Sequence, residues 1–320
     1  MQKKIILTLV SFIIFFIVFL FLGASSSVVK STSKDNPEIN NTRENHAIEI
    51  PQKLDLAGES VPLERLDVRE SLDRELLVNT YWHSQTFLFF KRAYRYFPVI
   101  EPILKKNGIP DDFKYLALIE SGLVNVISPS GATGYWQFIE ATGNKYGLII
   151  NDEVDERYHL EKSTEAFCKY IKSSYNLFKS WTLSAAAYNM GDAGLENHIK
   201  NQKVYNYYDL YLNNETARYV FRILAVKIIF EAPRKYGFYF EDYNLYPPVK
   251  TESVEVDTTI KDLPQFALDK GINYKILKEY NPWLKKTSLI NKGKNTYFIK
   301  IPLADELLFR KHFPLNGISQ

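Results

Sequence analysis

The sequence predicts a mainly α-helical protein that ends in a small βααβ unit. Two patterns carry this fold class. Apolar residues recur at helical spacing through most of residues 63–240, as they do in amphipathic and buried helices. After the "YPPVK" stretch at residues 246–250 the pattern changes: "TESVEV" at residues 251–256 alternates like a strand, and "TYFIKIP" at residues 296–302 is typical of a second strand.

The length and composition are typical of one large domain with a smaller one attached. The 320 residues are 46% hydrophobic and 15% aromatic, which is enough for a substantial core. The net charge of +3 comes from 40 basic and 37 acidic residues that are interspersed, whereas nucleic-acid binding usually needs a clustered basic face. We therefore expect no nucleic-acid partner. Cys168 is the only cysteine, so no disulfide forms within the chain.

Residues 1–25 are predicted to be a signal peptide or a membrane anchor. Lys3 and Lys4 precede an apolar run over residues 5–22, whose helix would be about 27 Å long, close to the hydrocarbon thickness of a bilayer. Small residues follow at 23–26 and suit a signal-peptidase site, so a cleaved signal and a retained anchor both remain open. Positive charge before the run places the remainder outside the cytoplasm. We expect an exported protein of the periplasm or cell envelope, tethered to the membrane by this segment.

Four further parts follow along the chain. Residues 26–62 are polar without a sustained apolar period and are predicted to be a tether. The helical patterns define a domain over residues 63–245. The strand and helix patterns after it define the βααβ module over residues 250–303, and residues 304–320 form a tail.

Six helices can be placed from their patterns and boundary residues. A helix start is indicated by Pro110 with two aspartates after it, and helix ends are indicated by Gly122, Gly191 and Pro233. The predicted helices span residues 110–121, 164–178, 181–190 and 215–231 in the domain and residues 263–270 and 274–280 in the module.

Glu120 is notable because it ends an almost wholly apolar helix. It continues the stripe of Phe113 and Leu116, and burial together with the negative end of the helix dipole should raise the pKa of its carboxyl group. A carboxyl group that stays protonated near neutral pH is what a general acid requires. The helix by itself leaves a second interpretation open, in which Glu120 caps a loop or pairs with an arginine.

No second carboxylate is placed to work with Glu120. Asp111 and Asp112 lie about 12–13 Å back along the helix axis, beyond the separation that paired-carboxylate glycosidases use. The local pattern does not direct Glu140 towards Glu120. The five histidines show no metal-ligand spacing, and the sequence contains no nucleotide-binding or nucleophile-elbow motif. We expect a site built round one acid, with no metal and no cofactor.

Four motifs resemble those of the family 1 lytic transglycosylases, whose catalytic domain is of the goose-lysozyme type. They are "ALIESGL" at residues 117–123, "SPSGATGYWQF" at residues 128–138, "AAAYNMG" at residues 185–191 and "ETARYV" at residues 215–220. They occur in the family's order and at similar spacings across about residues 98–231. The resemblance implies a lysozyme-like helical domain that cleaves the β-1,4 bond between N-acetylmuramic acid and N-acetylglucosamine in peptidoglycan.

The resemblance also implies the chemistry of Glu120. This residue protonates the oxygen of the scissile bond and then, as a carboxylate, takes the proton from the C6 hydroxyl of the same sugar. Ring closure leaves a 1,6-anhydromuramyl end without using water, which explains how one carboxylate can suffice.

The remaining motif residues receive roles from the same resemblance. The residues that it implies to bind substrate are Ser128, Gln137, Tyr188, Asn189 and Tyr219. Tyr188 and Asn189 are expected to reach the acid and the acetamido group of the sugar, and Tyr219 is expected to line the cleft. Supporting roles fall to Ser121, Gly134, Trp136 and Glu215. In this group Glu215 braces a helix start, and Trp136 serves either as core or as a sugar platform.

The C-terminal module resembles LysM modules, which bind glycans that contain N-acetylglucosamine. "VDTTIKDL" at residues 256–263 stands where that family has a Gly-Asp-Thr-Leu turn, and "LKEYNPWL" at residues 277–284 resembles its Leu-x-x-x-Asn segment. The glycine of the turn is missing here, so glycan binding by this module stays open.

Two alternatives to a lytic transglycosylase remain at this point. A muramidase of the goose-lysozyme type would add water in place of the C6 hydroxyl, and its product would be heavier by one water. A non-catalytic wall-binding protein could keep the fold, although it has no need of a buried acid. The expected partners are peptidoglycan strands and, through the N-terminal segment, a membrane; the sequence identifies no protein partner.

Overall fold

The structure, a computed structural model, describes residues 47–313 of the chain. Each helix in this part of the chain is too short or too polar to span a lipid bilayer. The predicted signal peptide or anchor at residues 1–25 lies outside the described residues. So do the first part of the predicted tether and the end of the predicted tail, residues 314–320.

The described residues contain eleven helices and two antiparallel sheets of two strands each. The helices are α1 (Leu66–Tyr81), α2 (His83–Lys106), α3 (Lys114–Ser121), α4 (Glu140–Lys145), α5 (Leu160–Phe178), α6 (Trp181–Met190), α7 (Asp192–Gln202), α8 (Asn214–Glu231), α9 (Leu263–Asp269), α10 (Tyr274–Tyr280) and α11 (Phe309–His312). The strands are β1 (Asp55–Leu56), which pairs with β2 (Glu59–Ser60), and β3 (Thr251–Val256), which pairs with β4 (Tyr297–Pro302).

Helices α3 and α8 form the centre of the large domain. Helix α8 packs against α1, α3 and α6, and α3 also packs against α2. The side chains of Leu116 and Ala117 on α3 and of Val220 and Leu224 on α8 are fully buried. Burying one leucine or valine side chain contributes about 1.5–3 kcal/mol, so these contacts stabilise the packing of the two helices.

The mainly helical fold class predicted from the sequence is confirmed. Helices α6 and α10 have the predicted ends. Asp111–Phe113 forms a 3-10 turn before α3 in place of its predicted first turn. Helix α5 begins at Leu160, earlier than the predicted start at Thr164, and the buried Leu160 extends its apolar face.

Residues 47–62 correct the predicted tether, because they pack against the helical domain. Strands β1 and β2 form a hairpin in which Leu56 is 1% exposed. Asp112 Oδ2 accepts hydrogen bonds from the Ala57 backbone N–H at 2.6 Å and from Lys227 Nζ at 2.8 Å. Strands of two residues each show no periodicity, so the sequence pattern misses this hairpin, and the domain begins earlier than predicted.

The C-terminal module has the predicted βααβ order, β3–α9–α10–β4. Residues 251–256 pair with residues 297–302 along their full length. The side chains of Leu263, Leu277 and Ile299 are fully buried in a hydrophobic core between these elements.

The predicted tail is folded in its first part. Ala304–Leu307 forms a 3-10 turn with Glu306 buried, and α11 follows it. Nε2 of His312 lies 2.7 Å from the Glu306 carbonyl oxygen, so α11 is hydrogen-bonded to the 3-10 turn before it.

Candidate active site

Glu120 lies in the last turn of α3 and lines a cleft. Residues 115–119 before it are all buried. The Gly122 backbone adopts a φ of 62°, a left-handed conformation that glycine tolerates, and its N–H donates to the Leu118 carbonyl at 2.8 Å. The helix therefore ends just after Glu120 and leaves its partly buried carboxyl group facing the cleft.

The carboxyl group of Glu120 contacts helix α8. The Tyr219 hydroxyl donates a hydrogen bond to Glu120 Oε1. Burial raises the pKa of Glu120 above its usual 4.5, and the charge of Glu215 acts in the same direction. The Tyr219 hydrogen bond and the charge of Arg222 oppose this shift without cancelling it. A raised pKa is what a general acid needs.

Arg222 is a cleft residue that sequence reasoning missed. It lines the cleft, and its Nη2 donates to the Ile119 carbonyl at 2.7 Å. Glu215, Tyr219 and Arg222 follow one another at i, i+4 and i+7 on α8, so they share one face of that helix. This spacing is visible in the sequence, and extending the "ETARYV" motif by one turn would have found Arg222.

The loop of residues 128–138 forms one part of the cleft wall. The Ser128 hydroxyl accepts a hydrogen bond from the Ala132 N–H at 3.0 Å. Nε2 of the Gln137 amide donates to two backbone carbonyls, at 2.8 and 3.1 Å. Its two N–H groups are thereby used within the protein, and the Gln137 carbonyl oxygen is the atom left to accept a hydrogen bond from a ligand.

Tyr188 and Asn189 form another part of the wall, at the end of α6. The Tyr188 hydroxyl donates to the Trp136 carbonyl at 2.6 Å, and burial together with the nearby charge of Glu120 raises the pKa of this phenol. Asn189 Nδ2 donates to Glu215 Oε1 at 3.1 Å, so Glu215 orients the amide from the first turn of α8.

Two of the predicted residues lie behind the cleft. The Trp136 side chain is fully buried, its Nε1 donates to Thr164 Oγ1 at 2.9 Å, and its ring stacks on Phe167. Trp136 is therefore core and does not form a sugar platform. Tyr219 is 1% exposed and lies behind Glu120, which corrects the expectation that it lines the cleft.

Ser121 and Gly134 hold the 128–138 loop against its surroundings. Ser121 Oγ donates to the Tyr135 carbonyl at 2.7 Å and so ties the end of α3 to the loop. Gly134 has a φ of 83°, and a Cβ added there would lie 2.0 Å from the Arg157 carbonyl oxygen. Because no other side chain leaves room for this approach, the loop requires glycine at this position.

The cleft has a volume of about 540 Å³, within the usual range for ligand sites. Its polar lining comprises Glu120, Ser128, Ser130, Gln137, Thr142, Tyr170, Tyr188, Asn189, Glu215 and Arg222. Glu120 and Glu215 are the carboxylates of this lining. Elsewhere in the described chain, as here, no group of three or more histidine, cysteine, aspartate or glutamate residues is arranged to hold a metal ion.

Family comparisons show which domains the chain contains. Residues 97–210 match the family described as Transglycosylase SLT domain, and residues 252–305 match the Soluble lytic transglycosylase C-terminal LysM-like domain. The chain carries a transglycosylase domain and a LysM-like domain. The resemblances predicted from the motifs are thereby confirmed for both domains.

Two curated relatives are both named membrane-bound lytic murein transglycosylase D, one from Escherichia coli strain K12 and one from Escherichia coli O6:H1. Each is 28% identical to this chain over an alignment of 251 residues, and the alignment covers 75% of this chain and 53% of the relative. The chain thus spans about half the length of these relatives. A solved structure of an inactive variant of the lytic transglycosylase Slt from Pseudomonas aeruginosa is 16% identical, with a TM-score of 0.35 over 47% of this chain and 26% of that one. That likeness is too low to carry an argument about the fold.

The family match to the transglycosylase domain ends at residue 210, before α8 begins. Glu120 and the 128–138 loop lie inside the matched residues. Tyr219 and Arg222, which set the environment of Glu120, lie beyond them on α8. The described site therefore combines the matched domain with the helix that follows it.

Proposed function

We propose that this protein is a peptidoglycan lytic transglycosylase. It cleaves the β-1,4 bond between N-acetylmuramic acid and N-acetylglucosamine and leaves a 1,6-anhydromuramyl end. The observation that carries the proposal is Glu120, a carboxyl group with a raised pKa that lines the cleft of a transglycosylase domain and accepts a hydrogen bond from Tyr219.

Glu120 first acts as the acid. Tyr219 donates to Oε1, so Oε2 is the oxygen that carries the proton towards the glycosidic oxygen. The bond from C1 of the muramic acid breaks as its oxygen takes this proton, and positive charge develops on the sugar. The Tyr219 hydroxyl and the charge of Arg222 stabilise the carboxylate that remains.

The same carboxylate then acts as the base. It removes the proton of the C6 hydroxyl while the C6 oxygen bonds to C1, and Glu120 returns to its protonated form. Glu120 thus gives one proton to the glycosidic oxygen and regains another from the C6 hydroxyl, so no water is consumed. This cycle needs only one titrating group.

The polar groups of the cleft wall suit a sugar with an acetamido substituent. We assign hydrogen bonds with sugar hydroxyl and acetamido groups to Ser128, to the Gln137 carbonyl oxygen and to the Asn189 amide, which Glu215 holds in place. Buried or braced amides of this kind fix the orientation of a ligand at little entropic cost.

A muramidase that adds water is the second candidate, and Glu215 is the observation that favours it. This carboxylate lies in the same cleft as Glu120 and could activate a water, although one of its oxygens accepts a hydrogen bond from Asn189. The two candidates differ in the mass of their products, because the anhydro product lacks one water.

We further propose that the protein works in the cell envelope, tethered by its N-terminal segment. Two observations support this location: the basic and apolar sequence of residues 1–25, and relatives that are named as membrane-bound. Fractionation of cells that make the full chain tests it. The protein should remain with membranes after a salt wash and be released by detergent.

Digestion of purified peptidoglycan, with mass spectrometry of the released muropeptides, tests the activity. We expect anhydromuramyl products from the unaltered chain. Glu120→Gln should reduce their release by about 10²–10⁴-fold, the usual contribution of a general acid. The matched control is Glu140→Gln, which alters an exposed glutamate outside the cleft and should leave the release unchanged. Products with reducing muramic ends would indicate the muramidase, and no product from any variant would contradict both candidates.

A further inference from the structure

The C-terminal module takes part of its core from the transglycosylase domain. Residues 149–158 follow α4 and run to the edge of the module. Val154 is fully buried in the module's hydrophobic core, and it forms an antiparallel bridge with Leu284. Ile149 and Tyr158 pack against the same core. The two domains therefore share one set of buried contacts at this place.

Backbone hydrogen bonds fix this segment to the module. The Asp155 N–H donates to the Trp283 carbonyl at 2.9 Å, and the Lys285 N–H donates to the Glu153 carbonyl at 2.8 Å. These bonds lie on both sides of Val154. They hold the backbone of Asp155 in a fixed position against the module.

The same segment holds the 128–138 loop through one ion pair. Arg157 Nε and Nη2 donate to the two carboxylate oxygens of Asp155 at 2.9 and 2.7 Å. Arg157 Nη1 points the other way and donates to the Gly131 and Phe138 carbonyls at 3.4 and 3.3 Å. Asp155 is 3% exposed and Arg157 is 9% exposed, so the bidentate pair is largely shielded from water.

The loop also rests directly on the backbone of this arginine. Gly134 approaches the Arg157 carbonyl so closely that a Cβ would lie 2.0 Å from its oxygen. The contacts at Gly131, Gly134 and Phe138 come from three parts of the loop. A shift of Arg157 would therefore displace the loop as a whole, together with Ser128 and Gln137.

We propose that Arg157 is a positioning residue, through which the C-terminal module holds the 128–138 loop in its ligand-binding shape. The module acts as a brace for the cleft wall, and Val154 and Asp155 connect the two. A loop held in its bound shape loses less conformational entropy when the ligand arrives, so the brace strengthens binding. This inference rests on the proposed function only for the identity of the glycan.

Arg157→Lys in the full chain tests the brace. Lysine keeps the positive charge next to Asp155, so no buried carboxylate is left without a partner, but it lacks the second arm that reaches the loop. We expect the backbone amides of residues 131–138 to exchange hydrogen about tenfold faster than in the unaltered protein, because Thr133 and Phe138 lose support for their mutual hydrogen bonds. The control is Arg69→Lys, which alters an exposed arginine on α1.

Ligand binding and kinetics distinguish a role of Arg157 in positioning the loop from a role in stability alone. With soluble glycan strands from purified peptidoglycan, and in a Glu120→Gln background, Arg157→Lys should raise Kd about tenfold. With Glu120 restored, KM should also rise about tenfold, while kcat should change less than threefold. The tenfold change is about what the loss of two hydrogen bonds costs in ligand affinity. The basic limb of the pH profile should not move, because Tyr219, Arg222 and Glu215, which influence the pKa of Glu120, lie on α8 and not on the loop.

Val154→Ala tests the brace at its contact with the module, because it weakens the packing of Val154 in the module's core and leaves Arg157 unchanged. It should accelerate exchange at residues 131–138 and raise Kd in the same direction, by a smaller factor. Exchange and Kd within twofold of the Arg69→Lys control in a folded Arg157→Lys protein would overturn the brace. If Arg157→Lys does not fold, the same result with Val154→Ala overturns it. An unaltered chain that yields no anhydro product would contradict the proposed function alone, since loop exchange does not depend on cleavage.

Discussion

The pKa of Glu120 is subject to two opposing influences, and both suit the proposed role, in which this residue gives a proton and takes one back. Burial raises its pKa, which keeps the acid protonated before the reaction. Tyr219 and Arg222 favour the carboxylate, which stabilises the form that exists halfway through the cycle. A site with only the first influence would hold a weak acid, and a site with only the second would have lost its proton before the sugar arrived.

Tyr219→Phe tests the contribution of the hydrogen bond to Glu120. A hydrogen bond to a charged group is worth about 1.5–3 kcal/mol, so we expect kcat/KM to fall by about 10–100-fold. Without this bond the pKa of Glu120 should rise further, and the basic limb of the kcat/KM–pH profile should move to higher pH. Tyr239→Phe, at an exposed tyrosine, is the control. A basic limb that moves to lower pH would contradict this assignment.

Glu120→Gln should change how stability depends on pH. Because folding raises the pKa of Glu120 above 4.5, the folded state binds this proton more tightly than the unfolded chain. The stability from this group is fully present below about pH 4.5 and is lost as the pH rises through the folded-state value. Glutamine does not titrate, so the variant does not lose this stability as the pH rises. The free energy of unfolding of the variant should therefore increase relative to that of the unaltered protein. Chemical unfolding at several pH values measures this gain, and a constant difference between the two would show that burial does not shift this pKa.

At the scale of elements, the sequence predicted what depends on local pattern. Helix α6 and the helices of the C-terminal module carry their own periodicity and boundary residues, and the structure has them where the pattern placed them. The bond between Tyr219 and Glu120 joins residues 99 positions apart, so only the resemblance to a family pointed to Tyr219. The role of Trp136 stayed open for a similar reason: its contact with Thr164 depends on how α5 packs.

Gly134→Ala tests the fit of the 128–138 loop against the segment before α5. The added Cβ would lie 2.0 Å from the Arg157 carbonyl oxygen at a residue with a φ of 83°, so the loop or the segment must move. We expect a loss of about 2–4 kcal/mol in the free energy of unfolding. Gly131→Ala is the matched control, because its φ is 82° and no atom lies within 4 Å of the added Cβ; it should lose about 1 kcal/mol. Equal losses measured by chemical unfolding would show that the contact with Arg157 is not tight.

At the scale of the whole molecule, segments from distant parts of the sequence complete both domains. The hairpin of residues 55–60 covers the large domain, where Lys227 donates to Asp112 and to the Asp55 carbonyl. Val154 completes the core of the C-terminal module. None of these contacts follows from a local pattern, which is why the sequence predicted a free tether and a separate module.

Shared contacts of this kind predict that residues 47–313 unfold together. Calorimetry of the full chain should show one unfolding transition for the transglycosylase domain and the C-terminal module. Val154→Ala, which removes about 2 kcal/mol of buried contact, should lower that single transition. Two transitions, of which Val154→Ala lowers only one, would mean that the domains unfold independently.

In the proposed reaction Glu120 regains its proton from the C6 hydroxyl of the substrate and no water is added, and digestion in heavy-oxygen water distinguishes this reaction from hydrolysis. Peptidoglycan is digested in water labelled with heavy oxygen, and the released muropeptides are weighed by mass spectrometry. We predict anhydromuramyl ends that carry no label, because the new bond to C1 comes from the C6 oxygen of the same sugar. Reducing ends that carry one labelled oxygen would contradict the claim, and they would make Glu215 the residue to examine as the base that activates water.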